Sequence, residues 1–480
     1  MLRTNQQFSL VIFGASGHLA KIKLYPALYV LALKKRLPQK YSILGFARTN
    51  MTDAEFRAHI DAAVRADMGE VSEKVLNEFL GHCTYVVGAY DRVEDFKKLA
   101  TKLTTVEETG SAVRLAYLSI PPTTYESTLM NICRSGVHTG NSPFRCIVEK
   151  PVGLNLKSFE QIHEKLSKCF TTEETYILDH YLGKEAARNV YYLRHANPVI
   201  ERLLKNTLIR SVQISASETA GLEGRAGYFD AVGTLRDMFQ SHLLEIAALL
   251  AMHIVADAKD MKAARTDAMR KFYLPHASDL SEIVMQGQYS SGQIDGKPVP
   301  AYSEENDVRP GSRTATFAAL RLFSRSSRWE GVPFFLRSGK RLKDKETRVT
   351  IEFQDSPSLL GKKTARNRLD IILQGEAGMR LFLQTKLGGT DPNFRPLVLT
   401  DPLVCVGDCL PEHSLLLLEA IEGNQQWFLD PEEVRTSWRL IDPLQTYLDD
   451  PRTPLALYPS GSEGPIEADG FIERFGERWM

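Results

Sequence analysis

The sequence predicts two domains, an α/β domain with a parallel sheet followed by a larger α+β domain with an antiparallel sheet. In residues 1–178, short apolar runs alternate with longer amphipathic stretches, which is typical of strand–helix–strand units with parallel strands. After about residue 205, strand-like runs follow one another with few helices between them, which favours an antiparallel sheet. We therefore predict domains at 1–178 and 179–480.

Five apolar runs predict the strands of the first domain, and the amphipathic stretches 21–35 and 52–67 between them predict helices. These strands are predicted at 9–13, 42–46, 84–87, 114–120 and 144–148. In the second domain, the apolar stretch 233–256 predicts a buried helix, and the polar stretch 290–312, rich in glycine and proline, is interpreted as a loop. Strands of the second domain are predicted at 315–323, 347–353, 369–374 and 379–385.

The composition is that of an ordinary globular protein. Of the 480 residues, 43% are hydrophobic and 25% are charged, which excludes a disordered or fibrous chain. The 59 basic side chains balance the 59 acidic ones, so no overall field attracts nucleic acid or anionic lipid. We expect no nucleic-acid or membrane partner, and any anionic ligand must be held by a local cluster.

The six cysteines are scattered, with no Cys-x-x-Cys pair and no Cys/His spacing typical of zinc. We expect six thiols, no metal site and a reducing compartment, the cytoplasm. No apolar run reaches the roughly 18 residues that a membrane-spanning helix needs. The first nine residues lack the features of a secretory signal, so we expect none.

A glycine-containing turn joins the first predicted strand to the first predicted helix. Gly14 and Gly17 frame it, and glycine lets the backbone turn tightly and approach a pyrophosphate at the N-terminus of the following helix. The spacing is shorter than the full Gly-x-Gly-x-x-Gly pattern, so a simple strand–helix connection is the alternative. Its position after the first strand favours a dinucleotide site that includes Gly14, Ser16 and Gly17.

The residues after the second predicted strand indicate which coenzyme is bound. A site for NAD usually has an acidic residue there, which binds the ribose hydroxyls. This chain has Arg48 and Thr49 instead, and a guanidinium can form paired hydrogen bonds with a 2′-phosphate. Arg48 therefore favours NADP over NAD, with an ordinary surface charge as the alternative reading.

Longer motifs resemble those of the glucose-6-phosphate dehydrogenase family and follow one another along the chain in the same order as in that family. The most specific is the heptapeptide DHYLGKE at 179–185. The others are GASG (14–17), YLSIPP (117–122), EKPVG (149–153), EGRAGYFD (223–230), RD (236–237), HLL (242–244), GVPF (331–334), GK (339–340) and GSEGP (461–465).

This resemblance implies a Rossmann coenzyme domain and a larger β+α domain that binds substrate and forms homodimers or homotetramers. It implies oxidation of D-glucose 6-phosphate at C1 to 6-phospho-D-glucono-1,5-lactone, in the oxidative branch of the pentose phosphate pathway. NADP is the usual acceptor, and some members also use NAD.

The resemblance also assigns roles to side chains. It makes His242 the general base and Asp179 the carboxylate that orients it and stabilises its cation. A histidine suits removal of the C1 hydroxyl proton, although an isolated histidine in an apolar helix is more often a core residue. The implied substrate-binding residues are Lys150, His180, Tyr181, Lys184, Glu218, Asp237, Lys340, Lys345 and Gln374, while Lys23 and Lys150 are implied near the coenzyme.

Two of these assignments depend on helix geometry. His180 and Lys184 would lie one turn apart on one helix face, where both can reach the same phosphate. Asp237 and His242 would lie about 140° apart on an ideal helix. They can share a pocket only if it straddles that face or the helix is irregular there.

Some positions depart from the family pattern. His18 follows the glycine turn where the family has an aspartate, which affects coenzyme affinity, and Ile177 stands in place of an arginine. Ser217 replaces the lysine before Glu218, and Ile372 replaces a basic residue that mammalian-type members use for a second, structural NADP. We therefore expect no structural NADP site.

Two other functions stay open at this point. One is a dehydrogenase of a related sugar phosphate, such as an amino or deoxy sugar. The other is a catalytically silent homologue that acts as a regulatory subunit. A panel of sugar phosphates at fixed NADP tests the first, and coenzyme binding without turnover would indicate the second.

Overall fold

The computed structural model describes residues 4–107, 112–138, 142–222, 224–277, 279–357, 364–391, 393–405, 407 and 409–480, so Glu223 of the EGRAGYFD motif lies outside the described residues. The chain forms two compact units. The first contains Met1–Lys184, Asp257–Lys262 and Gly407–Pro431, and the second contains Glu185–Ala256, Ala263–Val406 and Glu432–Met480. The first unit is therefore discontinuous in sequence.

The first unit contains a six-stranded sheet in which every neighbouring pair is parallel. Its strands are β1 (Phe8–Phe13), β2 (Tyr41–Ala47), β3 (Cys83–Val87), β4 (Val113–Leu118), β5 (Phe144–Glu149) and β6 (Thr175–Leu178). The order β3-β2-β1-β4-β5-β6 is that of a Rossmann sheet. The predicted α/β class is confirmed, and the five predicted strands correspond to β1–β5.

Helices connect these parallel strands. The helix Asp53–Met68 begins at a capping box, in which Thr52 Oγ1 accepts a bond from Glu55 N at 3.2 Å and the Glu55 carboxylate accepts one from Thr52 N at 2.8 Å. The helices of this unit are Ala20–Leu24, Tyr25–Leu33, Asp53–Met68, Glu73–Gly81, Val93–Glu107, Pro122–Thr124, Tyr125–Ser135, Leu156–Cys169, His180–Gly183, Ala258–Asp260 and Glu412–Glu422.

The second unit contains a mixed, mostly antiparallel sheet of ten strands, and this confirms the predicted α+β class. The strands of the unit are β7 (Ile209–Ser217), β8 (Phe272–Tyr273), β9 (Val284–Ser290), β10 (Gly292–Ile294), β11 (Lys297–Val299), β12 (Phe317–Ser324), β13 (Phe334–Gly339), β14 (Glu346–Phe353), β15 (Arg368–Gln374), β16 (Gly378–Lys386), β17 (Phe394–Pro402) and β18 (Ala456–Pro459). Their order is β17-β16-β15-β14-β7-β13-β12-β9-β18, with β8 beside β12 and a separate β10–β11 pair. The pairs β7–β13 and β9–β18 are parallel.

The helix predicted at 233–256 is less regular than expected and ends earlier, at Ala251. It consists of Ala226–Thr234, a π-helix at Leu235–Leu243 and Leu244–Ala251, with a kink at Gly233, whose φ is 70°. The other helices that lie wholly or mostly in this unit are Glu185–Ala196, Pro198–Leu203, Met261–Lys271, Leu280–Glu282, Tyr302–Glu304, Pro431–Leu448 and Ile466–Glu473.

The interpretation of 290–312 as a loop is wrong for part of that stretch. It contains the antiparallel pair β10–β11 and the short helix Tyr302–Glu304. Three of its side chains also bind the buried carboxylate of Asp230: Tyr302 Oη lies 2.8 Å and Arg309 Nε 2.5 Å from a carboxylate oxygen, and Ser312 Oγ is the third donor. These hydrogen bonds connect the stretch 290–312 to the helix Ala226–Thr234, which directly precedes the π-helix.

The expectation of six thiols is wrong for four of the cysteines: Cys133 and Cys169 are joined in a disulfide, and Cys405 and Cys409 are also disulfide-bonded. Cys83 and Cys146 are buried free thiols, and burial raises the pKa of both. Among the described residues, no helix is both long and apolar enough to span a membrane.

Candidate active site

The glycine turn lies at the carboxyl ends of the parallel strands. Gly14 N donates to Phe46 O at 2.9 Å and Gly17 N to Gly14 O at 2.8 Å. Gly14 has a φ of +85°, and a Cβ there would lie 2.1 Å from Ser119 O, so only glycine fits. The turn leads into the helix Ala20–Leu24, so its backbone amides lie where a dinucleotide phosphate binds in this fold.

Arg48 lies at the same edge as the glycine turn. Ser16 Oγ is 2.8 Å from Thr49 Oγ1, which joins the turn to the residues that follow β2. Arg48 is exposed, with its guanidinium carbon 5.9 Å from the centre of the Tyr90 ring. The end of β2 thus carries an accessible cation beside the turn and no acid, which fits a coenzyme with a 2′-phosphate.

The DHYLGKE segment follows β6. Asp179 is fully buried and caps a short helix, accepting a hydrogen bond from Tyr181 N at 2.9 Å. That helix, His180–Gly183, ends before Lys184, which has an extended backbone with a ψ of 125°. The prediction that His180 and Lys184 share one helix face is therefore wrong. Instead, Lys184 Nζ lies 3.9 Å from the centre of the Tyr181 ring, a cation–π contact.

Four predicted substrate residues lie along one edge of the ten-stranded sheet. Ser217, at the end of β7, pairs with Gly339 of β13 and with Glu346 of β14, and Thr347 of β14 pairs with Gln374 of β15. The strand ends therefore bring together side chains that are far apart in sequence. The predicted substrate residues at this edge are Glu218, Lys340, Lys345 and Gln374.

Lys340 and Glu218 form an ion pair at this edge, with Lys340 Nζ 2.5 Å from Glu218 Oε2. Lys340 also lines a small cavity with Asp237, so the structure brings together two predicted substrate residues there. The other residues that line the cavity are Gly221, Leu222, Arg225, Tyr228 and Phe229. Sequence reasoning missed Arg225 and Tyr228 as site residues, although both belong to the EGRAGYFD motif.

The π-helix Leu235–Leu243 explains how Asp237 and His242 can serve one site. In a π-helix each turn closes between residues five apart, so these two side chains lie about one turn from each other. Both side chains therefore leave the helix on a similar side, in place of the separation of about 140° expected on an ideal α-helix. His242 is 5% exposed, and π-turns are frequent at functional sites.

Lys23 and Lys150 lie in the first unit with the glycine turn. Lys150 directly follows β5, and Lys23 lies in the helix Ala20–Leu24. Lys23 Nζ is 3.8 Å from Glu412 Oε1 in the first turn of the helix Glu412–Glu422. Sequence reasoning missed this late helix as part of the site region.

The first unit is a Rossmann sheet with a glycine turn after its first strand, and the second unit gathers polar side chains at the ends of its strands. This combination is typical of an oxidoreductase that uses a nicotinamide coenzyme. The family profile described as "Glucose-6-phosphate dehydrogenase, NAD binding domain" matches residues 11–189, and the profile of the C-terminal domain matches residues 191–480. The chain belongs to the glucose-6-phosphate dehydrogenase family.

Individual relatives agree with this assignment. The chain is 36% identical to a chloroplastic glucose-6-phosphate 1-dehydrogenase of Solanum tuberosum, over 98% of this chain and 83% of that protein. It is 32% identical to a glucose-6-phosphate 1-dehydrogenase of Bacillus subtilis, over 100% of this chain and 99% of that protein. A solved glucose-6-phosphate dehydrogenase in complex with glucose 6-phosphate has a TM-score of 0.91 at 29% identity, and each chain covers 100% of the other.

Proposed function

We propose that this chain oxidises D-glucose 6-phosphate at C1 to 6-phospho-D-glucono-1,5-lactone, with hydride transfer to NADP, as the first step of the oxidative pentose phosphate pathway. The observation that carries this proposal is the polar sheet edge, where Glu218, Lys340, Lys345 and Gln374 meet. Acids and amides there suit sugar hydroxyls, and lysines suit a phosphate. Identity of 32–36% to named dehydrogenases over nearly the whole chain supports the same reaction.

We assign the substrate phosphate to His180, Tyr181 and Lys184, with Lys345 as a further cation. The hydroxyl groups of the sugar bind Glu218, Asp237, Lys340 and Gln374. Lys150 contacts both the sugar and the nicotinamide end of the coenzyme. Charge guides this division, because a phosphate dianion is best bound by cations and hydroxyl donors, and a sugar hydroxyl by carboxylate and amide groups. Lys340 is placed with the hydroxyls because its ammonium is paired with Glu218.

We assign proton transfer to His242. The glycine turn, Lys23, Arg48 and Lys150 would hold the coenzyme, whose nicotinamide would supply the acceptor for the hydride that leaves C1. His242 takes the proton of the C1 hydroxyl, so that the C–H and O–H bonds break as the carbonyl forms. The Asp179 carboxylate stabilises the resulting imidazolium, as in a His–Asp dyad. Proton and hydride then have separate acceptors, and the reaction balances.

An absorbance assay tests the function directly. Glucose 6-phosphate with NADP should give reduced nicotinamide, with slower formation from NAD. Glucose without the phosphate is the matched control and should turn over far less efficiently. Turnover only with an amino or deoxy sugar phosphate, or coenzyme binding without any turnover, would contradict the proposal.

Arg48 is proposed to bind the 2′-phosphate of NADP. Replacing it by alanine should raise the KM for NADP by roughly tenfold to a hundredfold, because a hydrogen bond to a charged group contributes about 1.5–3 kcal/mol. The KM for NAD should change little. The exposed Arg134 of the same unit gives a control, Arg134→Ala, which should leave both values unchanged. Equal losses for both coenzymes in Arg48→Ala would contradict the assignment.

We propose that the chain forms a homodimer or homotetramer through β17, the outermost strand on one side of its ten-stranded sheet. The edge strand β17 exposes neighbouring apolar residues: Leu397, Val398 and Leu399 are 38%, 45% and 49% exposed. A contiguous exposed apolar strand is typical of a protein–protein interface. A second copy that pairs along β17 would cover it.

Light scattering tests the proposed assembly. The wild-type mass should be a multiple of 53.9 kDa, and Leu397→Lys/Leu399→Lys, which places two charges on one face of β17, should shift it toward one chain. Val199→Lys, at an exposed apolar residue outside β17, should keep the wild-type mass. A wild-type monomer would contradict the proposal.

We propose that the enzyme works in the cytoplasm. Its substrate is a phosphorylated sugar, and a dianionic group does not cross a lipid bilayer at a useful rate because burial of its charge is costly. Enzyme and substrate must therefore share the compartment in which sugars are phosphorylated. Activity in the cytosolic fraction of the source cells would support this, and activity confined to a membrane-bound fraction would contradict it.

A further inference from the structure

A buried histidine lies between two carboxylates in the first unit, outside the residues assigned above. His413 is 7% exposed and lies in the first turn of the helix Glu412–Glu422. Its Nε2 is 3.7 Å from Glu149 Oε1, and its Nδ1 is 3.8 Å from Glu412 Oε1. Both ring nitrogens thus face an acid, an arrangement that favours the doubly protonated ring.

Each of the two carboxylates leads to a lysine of the proposed coenzyme site. Glu412 Oε1 lies 3.8 Å from Lys23 Nζ, as well as beside His413. Glu149 ends β5 and directly precedes Lys150, and its carboxylate also accepts a hydrogen bond from the buried Tyr117 hydroxyl. His413 therefore contacts the first residue of the EKPVG motif directly and is connected to Lys23 through Glu412.

The helix that carries His413 is firmly attached to this unit. Ser414 Oγ donates to Ala27 O at 2.9 Å, and Arg145 Nη1 donates to Ala420 O at 2.7 Å. A Cβ at Gly183 would lie 2.7 Å from Glu412 O, so the first turn of the helix also packs closely against the DHYLGKE segment. The first turn of Glu412–Glu422 thus contacts two predicted site motifs, EKPVG and DHYLGKE, as well as Lys23.

The charged groups around His413 determine how readily its imidazole is protonated. Glu149 and Glu412 face His413 from β5 and from its own helix, and the carboxylate oxygens nearest to the ring, Glu149 Oε1 and Glu412 Oε1, also contact the Tyr117 hydroxyl and Lys23 Nζ. Burial opposes protonation of the ring, but the two carboxylates overcome it and raise the pKa of His413 above its ordinary value. The imidazolium in turn lowers the pKa of Glu412 to about 2. With His413 charged, two acids and two cations balance.

We propose that His413 is a positioning residue of the coenzyme site: its charged ring holds Glu149 and Glu412, and thereby fixes Lys23 and the chain at Lys150. This inference rests on the proposed function, because it assumes that these lysines face a polyanionic coenzyme. A neutral ring leaves one uncompensated negative charge beside them. Coenzyme affinity should then be full while His413 is protonated and decline as pH rises through its raised pKa.

Coenzyme titration calorimetry between pH 6 and pH 9 tests this proposal, with NADP as the probe. His413→Gln should raise the Kd roughly three- to tenfold at low pH, the size expected for loss of about one screened charge interaction. It should also remove the additional rise in Kd that the wild type shows at higher pH. At saturating coenzyme and substrate, kcat should change less than the Kd for NADP, because His413 contacts neither reacting atoms nor the base.

A matched control exists in the same unit. His138 Nε2 is 2.9 Å from Glu174 Oε1, so His138→Gln also removes a half-buried His–Glu pair. This variant should keep the wild-type Kd and its pH profile, including any part due to titration of the coenzyme phosphate itself. Equal effects of the two substitutions, or a wild-type pH profile in His413→Gln, would overturn the inference.

A second variant keeps the test decisive if His413→Gln does not fold. Glu412→Gln leaves the imidazole in place but removes one of its two acids, so the pKa of His413 should decrease and the pH at which the Kd rises should move down. An unmoved midpoint would overturn the inference. Failure of the wild type to bind NADP at all would overturn the proposed function as well, so the two failures are distinguishable.

Discussion

Replacing His242 by asparagine should lower kcat for glucose 6-phosphate by roughly two to four orders of magnitude, with little change in KM. Asparagine keeps the size and polarity of the side chain but cannot take the C1 hydroxyl proton at neutral pH. The effect should be confined to kcat because the proton moves only in the transition state, so ground-state binding of the sugar persists. Initial rates over a range of substrate concentrations at saturating NADP give both constants.

The control for this substitution is His253→Asn. His253 is exposed and lies just after the helix Leu244–Ala251 in the same unit, so it reports any general effect of losing a histidine there. It should leave kcat unchanged. Near-normal turnover by His242→Asn would exclude His242 as the base and would indicate that it is a core histidine.

Replacing Lys184 by alanine should raise the KM for glucose 6-phosphate by roughly ten- to a hundredfold, since a charged hydrogen bond contributes about 1.5–3 kcal/mol. Lys184 lies over the Tyr181 ring on an extended backbone, an arrangement that limits the positions its ammonium group can take. The loss should depend on the phosphate: kcat/KM for free glucose, measured in parallel, should change far less.

Lys168→Ala provides the comparison for the Lys184 variant. Lys168 is an exposed helix lysine whose Nζ is 2.8 Å from Glu164 Oε1, away from the DHYLGKE segment. It should leave both substrates unaffected. If Lys184→Ala reduced kcat/KM equally for glucose and for glucose 6-phosphate, Lys184 would not bind the phosphate.

Local signals predicted the first unit well. The apolar runs of β1–β5 and the glycines of the turn are visible as local patterns in the sequence, and alternation of strands with helices restricts the sheet to parallel pairing. The second unit was harder, because no repeated strand–helix unit restricts its pairing: β7 has β13 as a parallel neighbour on one side and β14 as an antiparallel neighbour on the other. No local pattern in β7 or β13 states which strand is its neighbour.

Candidate site residues were named from the sequence where they belong to a recognisable motif. Residues that approach the site only through contacts between distant parts of the chain were missed. The π-helix at Asp237 and His242 differs from an α-helix by about one extra residue per turn, which hardly alters an apolar pattern, so it was noticed only as a possible irregularity. Glu412 and His413 belong to no recognised motif. Their relation to Lys23 and Glu149 follows only from the packing of the helix Glu412–Glu422.

The return of residues 407–431 to the first unit has a consequence for biosynthesis. A nascent chain that has already released Met1–Lys184 from the ribosome still lacks the helix Glu412–Glu422, which packs against Tyr25–Leu33. At about 5–20 residues per second, translation takes roughly 12 to 50 seconds to supply it. During that interval only the side of Tyr25–Leu33 that faces Glu412–Glu422 is uncovered, because Asp53–Met68 and Glu73–Gly81 already pack against this helix. That side is where a co-translational chaperone would act.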